Sequence, residues 1–306
     1  MELTKKVKKL VLANDLDYVG IAAANALRDE PEGRRPTDYL PSARTIVSFG
    51  ISLGLGAELC NKLAHHGSPR YTIFPYLWYG FGLPSWQFLD RTALLVTRLL
   101  EKEGYIAVPV MAASTFDIQS SLMEFSNNHA AVAAGLGDLG WPGLVLTQDR
   151  GPRVRFGSVI TNAPLNTDLV YQGPRLCDVD LCTKQGQGHP ICMKICPTNA
   201  LGKDLEEVII GGRSFKTTRV MRFRCMWGSM GLHEENILPP EGHAVSVEDV
   251  FEALAKRDPI RASELMCINE RGDYCGQCLM ACPVGASERI NAIMGGSCKL
   301  DSSLPV

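Results

Sequence analysis

The hydrophobic rhythm of the chain changes part-way along. Up to about residue 170, apolar positions recur at the spacings of helices and strands; beyond it they are broken up by cysteines, glycines and prolines. Residues 3–13 interleave Val and Leu with lysines at helical spacing, which predicts a first helix. The apolar run Tyr18–Ala23 and the β-branched stretch 45–51, preceded by Pro41 and Ser42, predict two buried strands. Residues 86–103 place Leu89, Ala93, Leu94, Thr97 and Leu100 on one face, a helix with Ser85 as its cap and Gly104 as its end. A strand at 106–110 follows. Residues 144–147 and 154–161 read as a hairpin around Asp149-Arg150-Gly151-Pro152. The aromatic-rich stretch 71–88, interrupted by Pro75, Gly80, Gly82 and Pro84, reads as a loop. Strands interleaved with helices predict a layered α/β or α+β domain over residues 1–170.

Residues 171–306 form a second unit on composition. Their periodicity is weak, so their rigidity is expected from metal ligation, with little core of their own. The whole chain has 306 residues, 45% of them hydrophobic, enough for one large domain or two smaller ones. Lys and Arg number 31 against 33 Asp and Glu, a net charge of −2, which does not suit a nucleic-acid or membrane-surface protein. Residues 1–14 lack the continuous apolar stretch that export or membrane insertion requires, so a cytoplasmic protein is expected.

Eleven cysteines are many for such a protein, and ten of them lie between Cys177 and Cys298. In a reducing compartment that density points to metal or redox chemistry rather than disulfides. Two runs stand out: Cys177-x4-Cys182-x9-Cys192-x3-Cys196-Pro197, and Cys267-x7-Cys275-x2-Cys278-x3-Cys282-Pro283. Both end in C-x3-C-P, the tail of the bacterial ferredoxin run, in which the fourth cysteine crosses to the other cluster. Closely spaced thiolates wrap three corners of a cubane, the chain turns at proline, and the last cysteine reaches a second cubane. One 4Fe–4S cluster then takes Cys177, Cys182, Cys192 and Cys282, and the other takes Cys196, Cys267, Cys275 and Cys278. Cys225 competes with Cys267 for its place. Tetrahedral zinc also accepts CxxC units, but a doubled C-x3-C-P is not zinc-ribbon spacing.

Two further stretches carry a family resemblance. Residues 130–165 (AAVAAGLGDLGWPGLVLTQDRGPRVRFGSVITNAPL), followed by the doubled cysteine run, resemble the epoxyqueuosine reductase and reductive dehalogenase group. Residues 41–53 and 99–110 fit it more loosely. The resemblance implies an α+β protein, in which a nitroreductase-like α/β domain precedes a ferredoxin-like double 4Fe–4S domain. It implies cobalamin bound by the α/β domain, with Gly135, Gly137 and Gly140 letting backbone approach the ring. Arg153 and Arg155 alternate across a predicted strand and so face opposite sides; one is a candidate to bind a propionamide, phosphate or substrate carboxylate, and a solvated pair is the plainer reading. The plainer reading of AAGLGDLG is a helix ending at glycine. Where epoxyqueuosine reductases carry an aspartate proton donor, this chain has Ser121, with Asp117 near but out of register.

Reduction at carbon requires a proton source. His129, just before the AGLG segment, suits that task, and Tyr79 or Tyr76 could supply a phenolic proton. The aromatic stretch suits a lid over a flat ligand, and equally a core or a homodimer contact. The function expected is an iron–sulfur, cobalamin-dependent reductase that acts on a small organic molecule and draws electrons from a donor such as ferredoxin or flavodoxin. The alternative is a cobalamin-free electron carrier.

Overall fold

The computed structural model describes residues 2–113, 125–257 and 275–295. Before residue 170 the chain forms six strands: β1 (Tyr18–Ala23), β2 (Thr45–Ser52), β3 (Ala107–Val110), β4 (Asp138–Leu139), β5 (Val145–Leu146) and β6 (Val154–Thr161). Four of them make one antiparallel sheet in the order β1-β2-β6-β3. Side chains alternate across it. Ala22, Ile46, Phe156 and Ile160 pack under the helix Asn127–Ala133. Ile21, Val47, Phe49 and Val159 pack under the helices Glu2–Leu12 and Asp90–Lys102. Helices cover both faces, so the central strands are apolar almost throughout instead of alternating with polar residues.

The structure corrects three expectations. β5 pairs with β4, not with β6, and one isolated bridge, Thr147 to Gly151, stands where a hairpin was expected. Residues 71–88 are not a loop: wide π-helical turns, Tyr76–Gly82 and Pro84–Leu89, run straight into the helix Asp90–Lys102. Ser85 therefore lies buried inside a helical run and does not cap it. Gly104 does follow the helix end, at φ +86°.

The segment after residue 170 also has more regular structure than its composition suggests. A hairpin, β7 (Leu201–Ile210) and β8 (Arg213–Val220), turns at Gly211-Gly212 and lends Ile210 and Phe215 to the core under Asn127–Ala133. Helices Arg222–Ser229 and Val247–Arg257 enclose their own apolar cluster, with Trp227, Leu232, Val250 and Leu254 at its centre. Among the described residues no helix is long and apolar enough to cross a membrane.

Candidate functional site

The first cysteine group is built on a buried carboxylate. Asp138 is fully buried in β4, accepts the backbone N–H of Leu176 at 3.0 Å, and pairs with Arg175 at 3.1 Å. Arg175 also donates to the Leu139 carbonyl and lies over the Phe215 ring. This fixes the chain just ahead of Cys177, whose sulfur accepts the Trp141 N–H at 3.3 Å. Asp178 caps the short helix Val179–Gln185, which carries Cys182; the Ile191 N–H donates to the Cys182 sulfur, also at 3.3 Å. Cys192 is buried in the next helix, Ile191–Lys194.

These thiols feel one another. The Cys192 thiol is pushed up to about 12, by burial first and then by Cys182, Cys177 and Cys282. Cys282 is pushed up to about 11 by burial, with Arg153 pulling it back down and Cys177 and Cys182 adding to the rise. Cys177 is raised by the same causes, burial and then Cys182 among them. The structure thus brings together Cys177, Cys182, Cys192 and Cys282, although 90 residues separate the third from the fourth. Among the described residues no three His, Cys, Asp or Glu side chains close on a single metal ion. Four neighbouring thiols, two of whose sulfurs accept backbone N–H groups, make a candidate donor set. Such ligands bind as thiolates, so a cluster there would displace their protons.

Arg153 explains how Cys282 reaches the group. Its side chain is fully buried at the start of β6. Nη1 donates to the Val284 carbonyl at 2.8 Å, and Nη2 to those of Met280 at 3.1 Å and Cys282 at 2.5 Å. Behind it Nε stands 3.4 Å from the buried Glu58 carboxylate, which Arg150 also holds while donating to the Leu53 carbonyl at 2.8 Å. Arg153 was expected to receive a cofactor or substrate group; here both of its terminal nitrogens donate to carbonyls of the protein's own turn. Next to it the backbones at Gly151 and Gly285 pack directly together, and a Cβ on either would overlap main-chain atoms of the other turn.

The second group has a different support. The Cys196 sulfur accepts the Ala200 N–H at 3.2 Å and lies 3.8 Å from the Thr198 hydroxyl. Gly228, in the helix Arg222–Ser229, faces both Thr198 and the Cβ of Cys275. The Cys275 carbonyl accepts from Asn61 Nδ2 and His65 Nε2, each at 2.9 Å. Gln277 donates to His65 Nδ1 at 3.2 Å, which assigns the His65 proton to Nε2. Cys278 packs against the cluster of Trp141, Cys192 and Leu201 as well as that of Leu53, Tyr76 and Leu279, so it adjoins the first group. Cys267, Ser121 and Asp117 lie outside the described residues. Cys225 is exposed and one turn from Gly228 on the same helix.

The other expected residues fall elsewhere. Tyr79 is 60% exposed, whereas Tyr76 is fully buried, accepts from Arg155 at 3.2 Å and sets its phenol oxygen against the backbone at Gly276, between Cys275 and Gln277. His129 lies in the first turn of Asn127–Ala133, its Nδ1 2.5 Å from a carboxylate oxygen of the buried Glu30. Nothing in the sequence couples Glu30 to His129, and Asn61, His65 and Glu58 are as remote from the cysteines they support. Gly135 ends the helix at φ +77° with the Leu169 carbonyl against its missing Cβ. Gly137 and Gly140 face Leu146 and Leu144 in the same way, so main chain lies against the Cβ position of all three. An open cavity of about 670 Å³ borders Cys177, with Arg175, Asp180, Ser214 and Lys216 in its wall.

Solved structures share this arrangement of elements. An epoxyqueuosine reductase from Streptococcus thermophilus superposes with a TM-score of 0.50 at 17% identity, over 93% of this chain and 66% of its own. The fold is the one shared by epoxyqueuosine reductases and reductive dehalogenases. A reductive dehalogenase whose structure suggested a mechanism for B12-dependent dehalogenation matches with the same TM-score and identity, over 88% of this chain and 37% of its own. A catabolic reductive dehalogenase in complex with 3-bromo-4-hydroxybenzoic acid matches equally. The chain thus spans just under two thirds of the reductase and little more than a third of the dehalogenases. All are reductases. No family model and no curated relative matches the chain.

Proposed function

We propose that this chain is an iron–sulfur reductase with two 4Fe–4S clusters, one on Cys177, Cys182, Cys192 and Cys282, the other on Cys196, Cys275, Cys278 and Cys267. The observation that carries the proposal is the crossing of Cys282 from the second run into the group formed by the first. When bound, such clusters supply one-electron transfer. The chain's own residues hold their ligands. Trp141, Ile191 and Ala200 donate backbone N–H groups to three of the sulfurs, which favours thiolate. Asn61 and His65 fix the Cys275 turn, and Arg153 fixes the Cys282 turn. The side chain of Cys278, a ligand of the second cluster in this reading, packs with Cys192 of the first, which brings the two ligand sets into contact.

His129 is the proton carrier in this reading. Its Nδ1–H donates to the Glu30 carboxylate, which orients the ring and leaves Nε2 to take and release a proton. The substrate is a small organic molecule and the electrons come from an external donor of the ferredoxin or flavodoxin kind.

Cobalamin fits less well. Each of the residues expected to receive it, Gly135, Gly137, Gly140 and Arg153, is engaged by the chain itself. That observation favours the second reading, a cobalamin-free electron carrier for a partner enzyme. Iron, acid-labile sulfide and cobalt, measured on protein made anaerobically with added cobalamin, separate the two. About eight irons per chain are expected from two cubanes. Stoichiometric cobalt would favour the corrinoid reductase, its absence the carrier or a cobalamin-free reductase, and a chain without iron overturns both.

A further inference from the structure

Glu58 and Arg153 are buried and charged, and with the half-buried Arg150 they grip the Cys282 turn. Glu58 is 1% exposed and Arg153 is fully buried. A buried guanidinium with three carbonyl acceptors spaced over five residues is more than packing needs, since one acceptor would satisfy the Cys282 turn mechanically. Burying an ion pair is costly unless its geometry is good, and a hydrophobic replacement of similar volume is often no less stable. The charge itself therefore calls for an explanation.

We infer that Arg153 is a positioning residue that sets the reduction potential of the first cluster through the Cys282 turn, with Glu58 as the counter-charge that trims its field. This rests on the cluster assignment proposed above. The Arg153 cation lies against the carbonyl of a ligand residue, and a nearby positive charge stabilises the added electron of a reduced cluster. Glu58, on the far side of Arg153, opposes that effect. Arg150 shares Glu58 and prevents the carboxylate from neutralising Arg153 completely.

The two charges predict shifts of opposite sign. In an EPR-monitored redox titration at pH 8, wild type should give two potentials. The signal missing from Cys177→Ala identifies the first group. Arg153→Met should lower that potential by at least about 59 mV, a tenfold change in a one-electron equilibrium. Glu58→Gln should raise it, and Arg153→Lys should leave it near wild type. The second potential should hold in all three. If Arg153→Met fails to take up iron, the opposite responses of Glu58→Gln and Arg153→Lys still decide. A purely structural role would move no potential in variants with full iron, or would move both in the same direction, and either result overturns the inference while leaving the clusters in place. Wild-type protein without clusters overturns the cluster assignment itself, and this inference with it.

Discussion

Gly285 lies three residues beyond Cys282, at φ +61°, with its missing Cβ aimed into the turn at Arg150-Gly151. An alanine there meets two penalties. The left-handed backbone costs an L side chain about 1–2 kcal/mol. The methyl would also stand 2.6 Å from the Arg150 Cα, with two further main-chain atoms closer still, and backbone yields less than a side-chain end. Overpacking of this kind costs about 1–3 kcal/mol, so Gly285→Ala should lose about 2–5 kcal/mol in all. Gly104 supplies the control: its φ is +86° and nothing lies within 4 Å of its missing Cβ, so Gly104→Ala meets only the first penalty. Thermal midpoints should be compared anaerobically at one scan rate, because cluster loss makes unfolding irreversible. Gly285→Ala should melt several degrees below Gly104→Ala and carry about four fewer irons per chain, since its turn no longer presents Cys282. Equal midpoints with full iron in both variants would refute the view that the two turns lock Cys282 in place.

Other consequences are as direct. Cys278→Ala should lose one cluster and turnover together, and full iron in that variant would remove Cys278 from the ligand set. In the chain stripped of iron but still folded, Cys192 should be alkylated far more slowly than exposed Cys225 at pH 8; a thiol pushed up to about 12 is only about one ten-thousandth ionised there. Cys192 reacting as fast as Cys225 in mass-mapped alkylation would contradict its burial among the other thiols. Asp249 caps the helix Val247–Arg257 reciprocally with Ser246, and its carboxyl is held low by the Ser246 backbone N–H. Its contribution is present above the unfolded carboxylate pKa of about 4 and is lost as pH falls through the lower folded value, so Asp249→Asn should flatten the acid limb of stability against pH. An unchanged limb would mean the cap carries no charge-dependent stability.

Local signals in the sequence reached as far as local physics does. The strand at Tyr18–Ala23 and the helix end at Gly104 follow from apolar runs and a glycine stop, and both are where those signals put them. The doubled C-x3-C-P run singled out Cys177, Cys182, Cys192 and Cys282 by spacing alone, and these thiols neighbour one another in the fold. Partnerships across the chain left no such mark. β5 chose β4 because residues 138–146 fold back on themselves, and Gly211-Gly212, a hairpin signal in plain view, lay between the two cysteine runs, whose spacing drew the reading away from it. Arg153 reads as a solvated strand residue until Glu58, 95 positions away, and three carbonyls near Cys282 are seen around it. The aromatic stretch misled for a different reason: prolines and glycines that break an α-helix are accommodated by wider turns.

Native mass spectrometry of the anaerobically purified chain tests the central claim most directly. The account predicts one species heavier than the polypeptide by two 4Fe–4S clusters, and Cys282→Ala heavier by one. Zinc ions in place of clusters, or two clusters retained in Cys282→Ala, would contradict it.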